Sequence, residues 1–292
     1  MKAAAAVLVS LLTLSCTHDA GMHNRLINKP VSSDAADLAD DARYYKSTNS
    51  GELEMHFFFP EGYDPHREEP YPVVVNFCGG GWVLGKMEWA QDNARFMSGL
   101  GFVGAAAEYR YADKRSVSVL DAMMDANSAV RWIRMHDEEF NIDPDRVAAM
   151  GDSAGGHLAL CTAIFPQYGE ASESTDISSV PNAVFTAAGA VNVNDAYFKS
   201  LLIGREIPIH CSPYQNVRAG LPPIYMAQCT DDDILPFHYT EEFIAELLQE
   251  GNTAELYPVP GGSHLAMWED PEVRAVWENA FAGAVKQMGW GL

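Results

Sequence analysis

Basic residues are scarce in this chain. Lysine and arginine number 19 against 40 aspartates and glutamates, a formal charge of −21. So acidic a chain offers no electrostatic footprint for nucleic acid. It is not steered toward an anionic membrane or a strongly acidic polymer either. Neutral and cationic substrates stay open. Cysteine is sparse as well, at positions 16, 78, 161, 211 and 229. Their spacing matches no zinc pattern, and a chain of 292 residues needs no disulfide framework to hold a core. Long apolar runs are missing from the body. The opening MKAAAAVLVSLLTLSC holds a short one behind Lys2, too short to span a bilayer, and it reads as a secretory signal. Cys16 after Ser15 is a candidate lipoprotein cleavage and acylation site. The competing reading is a buried or amphipathic N-terminal helix. Export would place the protein in the periplasm, on the outer membrane or outside the cell, and would permit disulfides. No transmembrane domain is expected.

What is present is a globular composition, 48% hydrophobic. Residues 1–16 are the signal, 17–46 look like a polar, acidic arm without a core pattern, and 47–292 form one catalytic domain. Within that domain strands are expected at Leu53–Pro60, Pro72–Phe77, Phe102–Glu108, Arg146–Met150, Val184–Ala187, Ile224–Gln228 and Glu255–Tyr257. Helices are expected over 86–99, 118–139, His157–Ile164, Glu241–Glu250 and 272–288. The alternation predicts an α/β fold with a mostly parallel sheet and helices on both faces. The segment 189–218 is left over as a small cap or insert. Ligand sites in such sheets lie beyond the carboxyl ends of the strands, which directs attention to the loops after residues 77, 108, 150, 187, 228 and 257.

The loops after residues 150 and 77 come first. Gly151-Asp152-Ser153-Ala154-Gly155 has the G-x-S-x-G spacing between a strand and a helix, where a serine is held on a strained turn with its hydroxyl above the sheet. Ser153 is the candidate nucleophile, and Asp152 a local hydrogen-bonding residue. Cys78-Gly79-Gly80-Gly81-Trp82 follows the strand at 72–77. The N–H groups of Gly80, Gly81 and Ala154 can converge on one oxygen as an oxyanion hole, with Gly79 as the turn residue. GGGWVLGK has the wrong glycine spacing for a phosphate loop.

A serine nucleophile needs a base and an acid that orients it. Of His157, His210, His238 and His264, only His264 sits in a glycine-rich loop after a late strand, in PGGSH. It is the expected base, and His157 is expected to pack under the elbow. Asp231, Asp232 and Asp233 follow the strand at 224–228. Asp232 is the favoured acid, the other two being fallbacks. A solvated turn of three aspartates is the bland alternative.

GDSAGGH at 151–157, CGGGW at 78–82, EYR at 108–110, TDDDILP at 230–236 and PGGSH at 260–264 together resemble the α/β-hydrolase superfamily, in its hormone-sensitive-lipase-like and carbohydrate-esterase-like branch. The resemblance covers residues 47–288. Cys78 stands where that branch usually has histidine, and Cys229 where it has glycine. It implies carboxylic-ester hydrolysis through a Ser153–His264–Asp232 triad and an acyl-enzyme, with no metal or organic cofactor. The favoured substrate is an acylated saccharide losing an acetyl or other small acyl group. General short-chain carboxylesterase, serine peptidase and non-catalytic binding module are the alternatives. Trp82, Tyr197, Phe198 and Trp268 are candidate pocket residues.

Overall fold

The computed structural model describes residues 24–31 and 38–291. Residues 1–16, expected to be a signal, lie outside the described residues, Cys16 among them. Three strands come first: β1 (Arg25–Pro30), β2 (Asp41–Thr48) and β3 (Gly51–Phe58). Strands and helices then alternate through β4 (Tyr71–Phe77), α1 (Met87–Ser98), β5 (Val103–Ala107), α2 (Val119–Met135), β6 (Ile142–Asp152), α3 (Ser153–Ile164) and β7 (Ala183–Ala187). An insert follows, holding α4 (Ala196–Leu201) and two short 3-10 turns at Pro208–His210 and Pro213–Asn216. The chain closes with β8 (Ile224–Cys229), α5 (Phe237–Gln249), β9 (Ala254–Val259), α6 (Ala266–Glu269) and α7 (Pro271–Met288).

The strands form one sheet in the order β1-β2-β3-β5-β4-β6-β7-β8-β9. Pairing is antiparallel from β1 to β5 and parallel from β5 through β4 to β9. This is the α/β-hydrolase architecture. Side chains alternate between two buried layers, as the two-residue strand period requires. Val73, Val75, Val147 and Ala149 enter one layer with α2 and α3. Val74, Ala148 and Met150 enter the other, against Trp277, Phe281 and Val285 of α7. Strands buried on both faces explain why YPVVVNF and RVAAM read as continuous apolar runs. The chain leaves β4 toward β5 on one side and leaves its neighbour β6 toward β7 on the other, which opens a crevice beyond the carboxyl ends of β4 and β6.

The polar arm expected over 17–46 requires correction. Where described, it supplies two strands of the sheet. Tyr45 and Lys46 are both fully buried. The Tyr45 hydroxyl donates to Glu108 O at 2.7 Å. The Lys46 ammonium lies 2.6 Å from Asp125 Oδ1, 2.9 Å from Ser128 Oγ and 3.0 Å from Glu170 Oε1. Arg110 forks onto Asp125 at 2.7 and 2.8 Å and reaches Glu170 at 2.6 Å. Arg131 pairs with Glu173 at 3.0 Å, and Arg205 of the insert with Asp121. Four cations thus meet four carboxylates where β2, α2, the segment after α3 and the insert converge. A lysine in a strand looks solvent-facing until the remote carboxylates that neutralise it are known.

Removing one member of a buried pair leaves its partner uncompensated, typically at a cost of about 3–5 kcal/mol. Lys46→Met should therefore lower unfolding stability by about that much at neutral pH, read from urea melts. Burial would raise the Glu170 carboxyl, but Lys46 and Arg110 together hold it below its ordinary value. Its contribution is therefore complete above the unfolded carboxylate pKa of about 4.3 and is lost as pH falls through the folded value. The gap between wild type and variant should narrow in acid. A gap equal at pH 7 and pH 3 would contradict this account of Lys46.

Candidate active site

The nucleophile turn is built by close backbone approach. Ser153 has φ of +49°, a left-handed conformation unusual for a residue with a side chain. A Cβ on Gly155 would stand 2.0 Å from Phe77 O, and one on Gly151 would stand 2.4 Å from the Gly155 backbone. Only glycine lets the start of α3 press this tightly against the end of β4. Ser153 opens α3, so its hydroxyl lies at a helix N-terminus, where free N–H groups favour developing negative charge.

Three sequence-predicted residues meet in one hydrogen-bonded line. His264 Nε2 lies 3.0 Å from Ser153 Oγ, and His264 Nδ1 lies 2.8 Å from Asp232 Oδ2. Asp232 is held from the other side: its Oδ1 accepts from the N–H groups of Ile234 (3.0 Å) and Leu235 (2.7 Å), and its Oδ2 from Gln228 Nε2 (3.0 Å). Burial alone would raise this carboxyl. The hydrogen bonds from His264 and the two backbone amides outweigh burial and hold it below its ordinary value. The neighbouring aspartates do other work. Asp233 Oδ1 accepts the His264 backbone N–H at 3.0 Å, fixing the loop that carries the base. Asp231 is exposed and meets the Thr230 hydroxyl.

The glycine run is tied to the nucleophile turn. Gly79 N–H donates to Asp152 Oδ2 at 3.0 Å, so this amide is engaged. Asn93 donates to the other Asp152 oxygen at 3.3 Å. Burial pushes the Asp152 carboxyl up to about 7, against the opposing effect of the Gly79 amide. Gly80 and Gly81 have φ of +123° and +60°, and Ala154 is the second residue of α3. Cys78 is buried under the loop. Its Sγ lies 3.7 Å from the Tyr111 hydroxyl, its carbonyl accepts from Tyr109 at 2.9 Å, and burial pushes its thiol up to about 12. Two tyrosines thus support the loop where histidine is usual.

His157 packs beneath the elbow, as expected. It is fully buried, and burial lowers its pKa to about 4, so the ring is neutral. Its Nδ1 accepts from Trp82 Nε1 at 3.2 Å, and its Nε2 donates to Cys211 O at 2.8 Å. That arrangement corrects two pocket assignments. Trp82 and Phe198 are buried, each edge-on to His157 and to the other. They are packing between loop, elbow and insert rather than open cleft wall, because the insert folds down over them. Tyr197 stays 46% exposed and donates its hydroxyl to Gly81 O at 2.9 Å. Trp268 lies edge-on to His264, ring centroids 5.0 Å apart. The supporting roles of Asp233, Gln228 and Asn93 are not legible in the sequence. Nothing in their spacing signals them, since each acts by supporting another residue. Among the described residues, no group of three His, Cys, Asp or Glu side chains is arranged to hold a metal ion.

A search of solved structures finds the same fold in Thermogutta terrifontis esterase 2. Its form phosphoramylated by tabun is 30% identical, with a TM-score of 0.80, covering 86% of this chain and 95% of that one. The propionate-bound form is 29% identical with a TM-score of 0.79. Among curated proteins, a probable isoprenylcysteine alpha-carbonyl methylesterase of Arabidopsis thaliana is 29% identical over 226 residues, 69% of this chain and 47% of that protein. The probable carboxylic ester hydrolase LipM of Mycobacterium tuberculosis is 25% identical over 205 residues, 64% of this chain and 47% of that protein. The chain thus spans about half the length of these curated relatives. Residues 62–247 match the BD-FAE family, and on that match, with the fold and the serine–histidine–aspartate geometry beneath it, the chain belongs to the BD-FAE family of α/β-hydrolases.

Proposed function

We propose that this protein is a serine carboxylic-ester hydrolase that removes small acyl groups. The observation that carries the reading is the continuous line from Asp232 through His264 to Ser153, at 2.8 and 3.0 Å, on a strained elbow. His264 Nε2 takes the proton of Ser153 Oγ as that oxygen attacks the ester carbonyl. The carbonyl oxygen becomes an oxyanion, held by the N–H groups of Gly80, Gly81 and Ala154. His264 returns the proton to the departing alcohol. Water then enters by the same base and releases the acid from the acyl-serine. Asp232 stays ionised throughout and holds His264 with Nδ1 protonated, the tautomer that leaves Nε2 free to accept.

The small-acyl reading is supported by the propionate and butyrate held by Thermogutta terrifontis esterase 2. For the alcohol side, we propose a saccharide. Its support is now the half-exposed Tyr197 ring and the exposed Asn194 and Asp195 of the insert, not Trp82 and Phe198. Export and a lipid anchor at Cys16 stay part of the proposal on the strength of the N-terminal sequence alone.

A panel of p-nitrophenyl acetate, p-nitrophenyl butyrate, acetylated xylan, feruloyl esters and dipeptide amides tests the class. Esters should be cleaved and amides left intact. Ser153→Ala should lose at least about 10⁴-fold in kcat, and a variant with full activity would sink the mechanism. Deacetylation of xylan should exceed that of a matched acetate lacking a sugar, and the reverse ranking would discard the saccharide reading.

Asp232→Asn gives a sharper outcome. The Asn carbonyl would stay on the Ile234 and Leu235 amides, turning its NH₂ toward His264 Nδ1 and the Gln228 amide. The imidazole would then accept at Nδ1 and present N–H to Ser153, the wrong tautomer for a base. Kinetics near pH 7 should show kcat down by about 10³–10⁴ with KM little changed. A loss below tenfold would move the acid elsewhere.

A further inference from the structure

The loop that carries Gly80 and Gly81 is fixed through its carbonyls. Cys78 O accepts from the Tyr109 hydroxyl at 2.9 Å. Gly80 O accepts from Val83 and Leu84 N–H at 3.3 and 3.2 Å, and Trp82 O accepts from Ala112 N–H at 2.8 Å. These donors belong to the loop itself or to the segment after β5. The donor to Gly81 O is different. It is the hydroxyl of Tyr197 on α4, at 2.9 Å, 116 positions away in the chain. Gly80 and Gly81 occupy positive φ values that glycine reaches without the Cβ clash other residues meet. The Gly81 N–H lies in the peptide plane of Gly80 O, which Val83 and Leu84 hold, and Gly81 O belongs to the next plane, which Tyr197 holds, so the two together set the turn at Gly81.

The hydroxyl of Tyr197 is itself well placed. Asp195 caps α4 by accepting Phe198 N–H at 2.8 Å. Phe198 is buried against Trp82 and His157, ring centroids 5.0 and 5.3 Å apart. Arg205 binds Ser118 Oγ at 3.1 Å and pairs with Asp121, and Cys211 O takes the His157 N–H at 2.8 Å. The insert is anchored to the core on both sides of α4. Lys114 Nζ lies 5.6 Å from the centre of the Tyr197 ring, at cation–π range on the exposed side.

We propose that Tyr197 is a positioning residue for ester hydrolysis: through the Gly81 carbonyl its hydroxyl fixes the Gly81–Trp82 peptide, which sets the backbone angles at Gly81 and so holds the adjoining Gly81 amide toward the oxyanion. This deepens the serine-esterase reading and rests on it. The insert then does more than wall the cleft: it completes the oxyanion loop. Donors held in place before reaction cost no reorganisation in the transition state. Phenylalanine at 197 would keep the ring and remove only the donor. The Gly81 carbonyl could turn to water there, since Tyr197 is exposed. The loss should therefore fall on the reaction rather than on the fold.

The experiment measures kcat and KM for p-nitrophenyl acetate and butyrate, the inactivation rate with paraoxon, and the thermal midpoint, for wild type, Tyr197→Phe and Ser153→Ala. For Tyr197→Phe we expect kcat and the paraoxon rate both reduced by about tenfold, the scale of weakening one oxyanion-hole element. KM should stay within about twofold and the midpoint within about 2 °C of wild type. A kcat within twofold of wild type overturns the proposal. So does a change confined to KM, which would make Tyr197 a wall of the pocket only. A midpoint lower by more than about 5 °C also overturns it, because the hydroxyl would then be supporting the fold. If Ser153→Ala is inactive while Tyr197→Phe behaves as wild type, this inference alone fails. If Ser153→Ala remains active, the serine-esterase reading fails first.

Discussion

The structure depends on two backbones pressed together at the centre of the sheet. The turn after β6 meets the end of β4 so closely that a single carbon on Gly155 would overlap Phe77 O, at 2.0 Å. That approach fixes two things at once. It lifts Ser153 into a left-handed conformation above the strand ends, and it lays the glycine run alongside. Asp152 seals the contact by accepting the Gly79 amide. The nucleophile and the loop expected to receive the oxyanion are therefore placed by one piece of packing. The base and acid come from later strands and need only reach the same point.

Around this contact, buried polar groups tie the neighbouring elements together. Neutral His157 joins Trp82 of the glycine loop to Cys211 of the insert from below. Burial, which lowers its pKa to about 4, keeps it from charging there. The cluster around Lys46 and Arg110 does the same at a distance, joining the N-terminal strands, α2 and the insert through Arg205 and Asp121. Ion pairs of this kind are weak evidence for stability compared with an apolar core. Their role is placement: each charge is satisfied only when several elements sit together.

Much of this was legible in the sequence because the chemistry forces short-range patterns. Gly151 and Gly155 flank Ser153 because side chains would clash there, and β4 and β6 read as apolar because both their faces are buried. Asp232 could be favoured over Asp231 and Asp233 by register. That Asp233 holds the His264 amide could not be read, since the contact spans 31 positions. The strands at 25–30 and 41–48 were missed for a related reason. A register shift between Tyr44 and Lys46 breaks the alternation, and Tyr45 and Lys46 are buried side by side. The lysine is tolerated only through Asp125 and Glu170, far along the chain. Trp82 and Phe198 carried the right composition for a pocket, but which way an aromatic ring faces is decided by the insert that covers it.

The central claim is that Ser153 is the group that becomes acylated. Paraoxon, an organophosphate that phosphorylates Thermogutta terrifontis esterase 2, tests it directly. The protein would be treated with one equivalent, digested, and mapped by tandem mass spectrometry while residual activity is followed. A diethylphosphoryl group is expected on Ser153, at a stoichiometry that matches the activity lost. Inactivation with the label on any other residue, or a fully labelled Ser153 in an enzyme that still turns over, would contradict it.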